Sequence, residues 1–291
     1  MEFRHILFPV DFSQRATGAA PLVKAMAKRF GAKLTVLHAA EENYPMYMGM
    51  DAPILPELQW PEIEAEAQKQ LADFAAAQFA DSKPDLVVVR GDAAAATVEY
   101  AGEQNIDLIA MATHGRGIFR AALLGSTTAK ILHDAPCAVW TDAHTDQPQA
   151  GKAQAEHGWK SILCAIDTGE ESVRLIRAAA ELGEQSGAVV RIVHSVPGAE
   201  AGQERYFDLE FQRFLEDTAR QTIAKLQEET GTSFQVCLGA GSPGKVVAAA
   251  VEHHQGDLVV IGHGHLRSLA GRFRSHAYGI IRSAACPVLS V

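Results

Sequence analysis

Residues 107–115 read DLIAMATHG, and residues 257–264 return to the same pattern as DLVVIGHG. After each run comes a second match, APCAV at residues 135–139 and AACPV at residues 284–288. A repeat of this kind in a chain of 291 residues predicts two similar domains, each large enough to bury a core. The two copies differ most at their glycines, which indicates a shared fold but different activities.

The repeat extends along both halves as a series of apolar, strand-like runs. The first pair, residues 5–11 and 161–167, ends in Asp11 and Asp167. Because these runs are continuously apolar and do not alternate, they predict parallel strands that are covered on both faces. Helical segments separate the runs, so we predict an α/β fold with two tandem, doubly wound, five-stranded parallel sheets.

The composition argues against several classes of protein. The formal charge is −9 with no basic patch to balance it, which argues against nucleic acids and anionic membrane surfaces as partners. No apolar run reaches the roughly 18 residues of a membrane span, and the first residues lack a signal-peptide core, so we expect a cytoplasmic protein. The four cysteines lack metal-ligand spacing, which predicts buried, reduced thiols and no metal site.

Two segments interrupt the pattern of strands and helices. Residues 141–157 are polar, so we place a linker at residues 143–157, between a first domain at residues 1–142 and a second at residues 158–291. The segment from residue 41 to residue 60 is irregular and holds three methionines. It is either a surface loop that packs over the sheet edge or the partner half, or a flap over a ligand.

Ligands of an open parallel sheet bind beyond the carboxyl ends of the strands, where the strand order reverses. In the first half, Gly125, Ser126 and Thr127 open a helix there, with free backbone N–H groups and hydroxyls that suit an anion. Gly115 lets the backbone approach a ligand closely because it has no Cβ. Asp11, at a strand end, can accept hydrogen bonds from a base or a ribose.

On these residues the chain resembles the universal stress proteins in their tandem two-domain form. The ATP-binding signature of that family is G-x2-G-x9-G-[ST], and the first half reads Ala112-x2-Gly115-x9-Gly125-Ser126. The resemblance implies a Rossmann-like, adenine nucleotide alpha hydrolase-like fold, packed as an intramolecular pseudo-dimer through the fifth strands, and it leaves a homodimer open. It also implies a stress-response protein whose ligand is ATP or another adenine nucleotide, with Mg²⁺ as an accompanying ion.

The same resemblance assigns the residues of the site. The ends of the first two strands would contact adenine, the end of the fourth strand would line the base or the ribose, and the glycines would hold the phosphates. The nucleotide-binding residues are then Pro9, Val10, Asp11, Ala39, Met111, Ala112, Gly115, Gly125, Ser126 and Thr127. A second site would contain Asp167, Gly262, Gly264 and Ser275. Arg274 aligns with Gly125, so we expect this second site to be degenerate or altered.

A glycine-rich stretch in the second half imitates two phosphate-binding motifs. Residues 239–246 read GAGSPGKV, which matches both G-x-G-x-x-G and G-x4-G-K. Val246 stands where a P-loop needs Ser or Thr for Mg²⁺, and the next strand ends in Gly262 and His263 where a dinucleotide fold needs an acid. We therefore interpret the stretch as a glycine turn that enters a helix. His38 and His194 end matching strands and are predicted to be structural.

The sequence contains no nucleophile elbow and no paired carboxylates with a defined task, so we predict no catalytic residues. ATP hydrolysis would depend on bound Mg²⁺ and positioning, and would be slow or absent. Three functions stay open. The chain is a regulatory protein that binds ATP mainly in its first domain, a slow ATP hydrolase, or a ligand-free interaction module that acts through residues 41–60.

Overall fold

The computed structural model of the chain describes residues 1–41, 60–112, 125–142, 158–197, 209–262 and 272–291. The first half runs β1 (His5–Pro9), α1 (Gln14–Phe30), β2 (Lys33–Ala40), α2 (Trp60–Gln78), β3 (Asp85–Arg90), α3 (Ala93–Glu103), β4 (Leu108–Met111), α4 (Ser126–Asp134) and β5 (Ala138–Thr141). The second half runs β6 (Ser161–Ala165), α5 (Ser172–Ser186), β7 (Val189–Val196), α6 (Leu209–Thr230), β8 (Gln235–Ala240), α7 (Pro243–His254), β9 (Leu258–Ile261), α8 (Arg272–Ser283) and β10 (Val288–Ser290). The predicted linker at residues 143–157 and most of the predicted loop or flap, residues 42–59, lie outside the described residues.

The strands form two five-stranded parallel units with the same order. The order is β3-β2-β1-β4-β5 in the first half and β8-β7-β6-β9-β10 in the second. In each half the order reverses after the first strand, between β1 and β4 and between β6 and β9. The predicted α/β fold with doubly wound parallel sheets is therefore confirmed, and these two reversal points are where the sheets can bind a ligand.

The fifth strands of the two halves pair with each other. β10 lies antiparallel to β5, with Leu289 opposite Trp140 and Val288 opposite Thr141. This pairing joins the two units into a sheet of ten strands. Trp140 is 2% exposed, and its ring centroid lies 5.7 Å from that of Trp159.

The core forms two layers, one on each face of the sheet. Neighbouring strand residues point to opposite faces, so Ile6 and Phe8 pack in one layer while Leu7 packs in the other. Both layers contain residues of both halves, including Ile162 in the first and Leu163 in the second. The hydrophobic core is therefore continuous across the β5–β10 pair.

The ends of the helices agree with the signals in the sequence. The Ser13 hydroxyl accepts a hydrogen bond from the Ala16 N–H at the start of α1, and Gly31 ends that helix with a φ of 59°. Gly187 ends α5 in the same left-handed conformation. Pro21 lies inside α1.

Candidate functional site

The carboxyl ends of β1, β2 and β4 meet at one edge of the first half. Pro9 lies opposite Leu37 on β2, and Leu7 lies opposite Ile109 on β4. The predicted residues Val10, Asp11, Ala39, Met111 and Ala112 follow these pairs and therefore lie at the same edge. The structure brings together the strand-end residues of the predicted nucleotide site.

The end of β1 is held in place by β2. The Val10 N–H donates to the Leu37 carbonyl at 2.8 Å. His38 Nδ1 donates to the Val10 carbonyl at 2.8 Å, because a carbonyl can only accept. The prediction that His38 is a structural histidine is confirmed. Its counterpart His194 makes the same bond to the Ile166 carbonyl, at 2.9 Å.

A sharp turn follows β1 and leads into α1. Asp11 Oδ1 accepts a hydrogen bond from the Ser13 N–H at 3.0 Å. Phe12 has a φ of 59°, which is rare for a residue with a side chain and is a kind of strain that concentrates at functional sites. Its ring centroid lies 4.3 Å from that of His38. Sequence reasoning did not select Phe12, because nothing in the order of residues reveals a positive φ.

The start of α4 faces the end of β4. The Thr128 hydroxyl donates to the Ala112 carbonyl at 3.5 Å and so links the two elements. Gly125 is the N-cap of α4, with a φ of −58°, and no side chain caps the helix from that position. Ser126 and Thr127 are exposed. The first-turn N–H groups are therefore not capped by the N-cap residue, as an anion site at a helix terminus requires.

Some predicted site residues cannot be placed. Gly115 and Gly264 lie outside the described residues, as do the rest of residues 113–124 and 263–271. The backbone of Ser275 lies in α8, but its side chain is not among those described.

The second half contains a cavity at its reversal point. The cavity measures about 280 Å³ and lies above β6, β7 and β9, between α5 on one side and α7 and α8 on the other. Its polar lining includes Asp167, Glu171, His194 and His276, and the backbone of Gly262 forms part of its wall. Two of these residues, Asp167 and Gly262, are predicted members of the second site. Sequence reasoning missed Glu171, the residue before α5, and His276, which lies on α8.

The start of α8 differs from the expected match with α4. Counting back from the helix ends, Ser275 corresponds to Ser126, the first residue of α4, and Arg274 corresponds to the N-cap Gly125. However, α8 begins earlier, at Arg272, so Arg274 and Ser275 both lie in its first turn. The residue that precedes α8, Gly271, lies outside the described residues.

Backbone conformation and close packing explain the glycines at residues 239–246. Gly241 has a φ of 121° after β8. A Cβ on Gly239 would lie 2.7 Å from Val246 Cγ1, and one on Gly244 would lie 2.8 Å from the Gly279 carbonyl oxygen on α8. These contacts support the interpretation as a glycine turn that enters a helix, which begins at Pro243.

Cys164 and Cys286 are buried as predicted, whereas Cys137 and Cys237 are partly exposed. Burial raises the pKa of Cys137, Cys164 and Cys286 to about 12, so these three remain protonated at neutral pH. Cys237 Sγ lies 3.2 Å from His254 Nε2, and burial raises the pKa of this thiol as well. Among the described residues, no group of three or more His, Cys, Asp or Glu side chains could hold a metal ion. Across that same part of the chain, every helix is too short or too polar to cross a membrane.

Comparison with known proteins gives concordant results. The sequence model of the Universal stress protein family matches residues 2–141 and 158–291. A universal stress protein of Thermus aquaticus is 36% identical over 137 residues, which cover 47% of this chain and 96% of that protein. Universal stress protein A homolog 1 of Coxiella burnetii is 34% identical over 145 residues, which cover 48% of this chain and 98% of that protein. The crystal structure of a universal stress protein from Archaeoglobus fulgidus is similar over the whole fold, with a TM-score of 0.66 at 18% identity, and the match covers 99% of this chain and 96% of that one.

Proposed function

Because the chain belongs to the universal stress protein family, we propose that it is a nucleotide-dependent regulatory protein of the stress response. It binds ATP, or another adenine nucleotide, mainly through its first half. The observation that carries this proposal is the meeting of two features at one sheet edge, the ordered end of β1 around Asp11 and the start of α4 at Gly125. An adenine nucleotide needs both a place for its base and ribose and a place for its phosphates.

The base and the ribose lie against the strand ends. Val10 is held by two hydrogen bonds to β2, and Met111 is 7% exposed at the end of β4, so the fold itself fixes the position of these two residues. Pro9, Ala39 and Ala112 complete the contact with small or apolar groups. The Asp11 carboxylate accepts hydrogen bonds from the amino group or the hydroxyls of the ligand.

The phosphates lie at the N-terminus of α4. The N–H groups of the first turn and the positive end of the helix dipole both favour negative charge there. The hydroxyls of Ser126 and Thr127 are exposed and add donors. Gly115 would bring a further stretch of backbone close to the ligand. Mg²⁺ would arrive bound to the phosphate oxygens, since no described cluster of side chains offers it a separate site.

The two halves act as an intramolecular pseudo-dimer of domains at residues 1–142 and 158–291, joined by the linker at residues 143–157. The antiparallel β5–β10 pair supports this arrangement. So does the Tyr278 hydroxyl on α8, which donates to the Ala129 carbonyl on α4 at 3.0 Å. This bond joins the helix that would hold the phosphates to one that lines the second-half cavity.

Titration calorimetry of the nucleotide-free full chain, with a parallel assay of phosphate release, tests the proposal. We expect saturable binding of ATP at a stoichiometry of about one per chain, because α4 begins at Gly125 whereas the aligned position of the second half is Arg274. Phosphate release should not exceed that of a buffer control. Release at several turnovers per minute that is lost in Asp11→Ala would replace a regulatory role with that of an ATP hydrolase.

A further inference from the structure

We propose that the second-half cavity binds an adenine nucleoside without its phosphates, and that Glu171 is the residue that excludes the phosphorylated forms. This inference rests on the proposed function of the first half, because the position of the base in the second half is taken from the equivalent residues of the first. The two halves would then respond to two different adenine compounds.

The base-binding ends of the two sites have the same construction. In each half an aspartate, Asp11 or Asp167, lies two residues beyond the first strand. The next residue is in the left-handed region, Phe12 with a φ of 59° and Thr168 with a φ of 64°. In each half a histidine on the second strand, His38 or His194, donates from Nδ1 to the carbonyl that precedes the aspartate. A ligand whose base binds these strand-end residues in one half therefore fits the equivalent residues of the other half.

Three residues beside these strand ends differ between the two halves. A Cβ on Gly262 would lie 3.2 Å from Leu175 Cδ1 and 3.4 Å from Glu171 Oε2, so the glycine leaves room for those two side chains. In the first half the strand-end residue is larger and its helix neighbour is smaller. Where the second half has Gly262, Leu175 and Glu171, the first half has Ala112, Ala19 and Arg15. The methyl group of Ala112, a departure from the family signature, is thus matched by a smaller residue on α1.

The difference between Arg15 in the first half and Glu171 in the second also reverses the charge at this position. Glu171 lines the cavity together with Asp167, and its side chain is 30% exposed. No lysine or arginine is found among the described residues that line the cavity. Arg174 approaches Glu171 at 4.0 Å but is not part of the lining. The lining also holds two histidines, of which His194 donates from Nδ1 to the Ile166 carbonyl. Phosphate groups beside Asp167 and Glu171 would lie against two carboxylates, whereas hydroxyl and amino groups would find acceptors.

The size of the cavity points to the same class of ligand. Its volume of about 280 Å³ lies just below the range of roughly 300–1,000 Å³ for small-molecule sites. Its remaining lining is mostly apolar, with Ile166, Val193 and Val247 beside the polar groups, which suits the faces of a flat base. A base and a sugar fill such a space, and a triphosphate would extend beyond it.

Calorimetry with adenosine and ATP tests this inference in full-length chains that carry Gly125→Arg, which removes the phosphate site of the first half. We expect adenosine to bind and ATP to bind at least about tenfold more weakly. Adding Glu171→Gln should lower the ratio of the ATP dissociation constant to the adenosine dissociation constant by about fivefold or more. Glu170→Gln is the matched control, because Glu170 carries the same charge one residue away, is exposed, and does not line the cavity. Since Glu171 belongs to the second half, a change in the ratio locates the binding there.

Three results would overturn the inference. They are no adenosine binding, equal binding of ATP and adenosine in the Gly125→Arg chain, and a ratio that Glu171→Gln leaves unchanged. The proposed function of the first half fails separately, when the unmodified chain does not bind ATP. Unmodified chains that bind ATP, together with Gly125→Arg chains that bind no adenosine, would contradict the inference about the second half and leave the first-half proposal intact.

Discussion

Replacing Gly125 by Arg should weaken ATP binding at least about a hundredfold, because a long side chain would cover the N–H groups that the phosphates use. The fold should survive the change. Gly125 has a φ of −58° and a ψ of 143°, which any residue with a side chain adopts without strain. Titration calorimetry with ATP measures the loss, and a thermal melt of the same sample checks that the chain is folded.

Gly102→Arg provides the matched control for this variant. Gly102 is exposed on α3, and the nearest atom to an added Cβ is Pro136 Cγ at 4.0 Å. The same side chain is thus introduced into the same half, away from the predicted ligand. Unchanged ATP affinity in Gly125→Arg would show that the phosphates do not lie at the start of α4.

Replacing Leu289 by Ala should lower the free energy of unfolding by about 2–5 kcal/mol, the usual cost of removing a large side chain from a packed core. Leu289 is 0% exposed and lies opposite Trp140 in the β5–β10 pair. Because the core is continuous across this pair, the cavity left by the missing side chain would weaken the packing of both halves. Urea denaturation followed by circular dichroism measures the change.

The control for this prediction is the same substitution at Leu86. That side chain is 43% exposed on β3, a strand at the edge of the sheet, so Leu86→Ala should change the free energy of unfolding by less than about 1 kcal/mol. Equal losses in the two variants would mean that the β5–β10 pair is not a stabilising part of the core.

Much of the fold could be predicted because its determinants are local. Continuous apolar runs indicated the parallel strands, and residues such as Ser13 and Gly31 cap helices through their own local chemistry. Each of these signals depends on a few neighbouring residues, and the internal repeat makes the pattern of strands visible in both halves. The pairing of the fifth strands did not follow from the residues. It was expected from the resemblance to the family, since an antiparallel contact between distant segments has no local signal.

The candidate site was predictable only in part. The strand ends and Gly125 were found because strand order and helix termini constrain where ligands bind. The turn at Phe12 depends on a backbone conformation that the sequence does not display. The relation of Glu171 to Gly262 depends on the packing of α5 against β9, between residues that lie far apart in the chain. Gly115 and Gly264, in turn, lie outside the described residues.

Mass spectrometry of the small molecules released by denaturing the freshly purified full chain tests whether the first half binds an adenine nucleotide. We expect an adenine nucleotide to be recovered from the unmodified chain and to be absent from Gly125→Arg prepared in the same way. Recovery of no nucleotide, together with no binding of ATP, ADP or AMP on titration, would contradict the account and would leave the chain as an interaction module that works without a ligand.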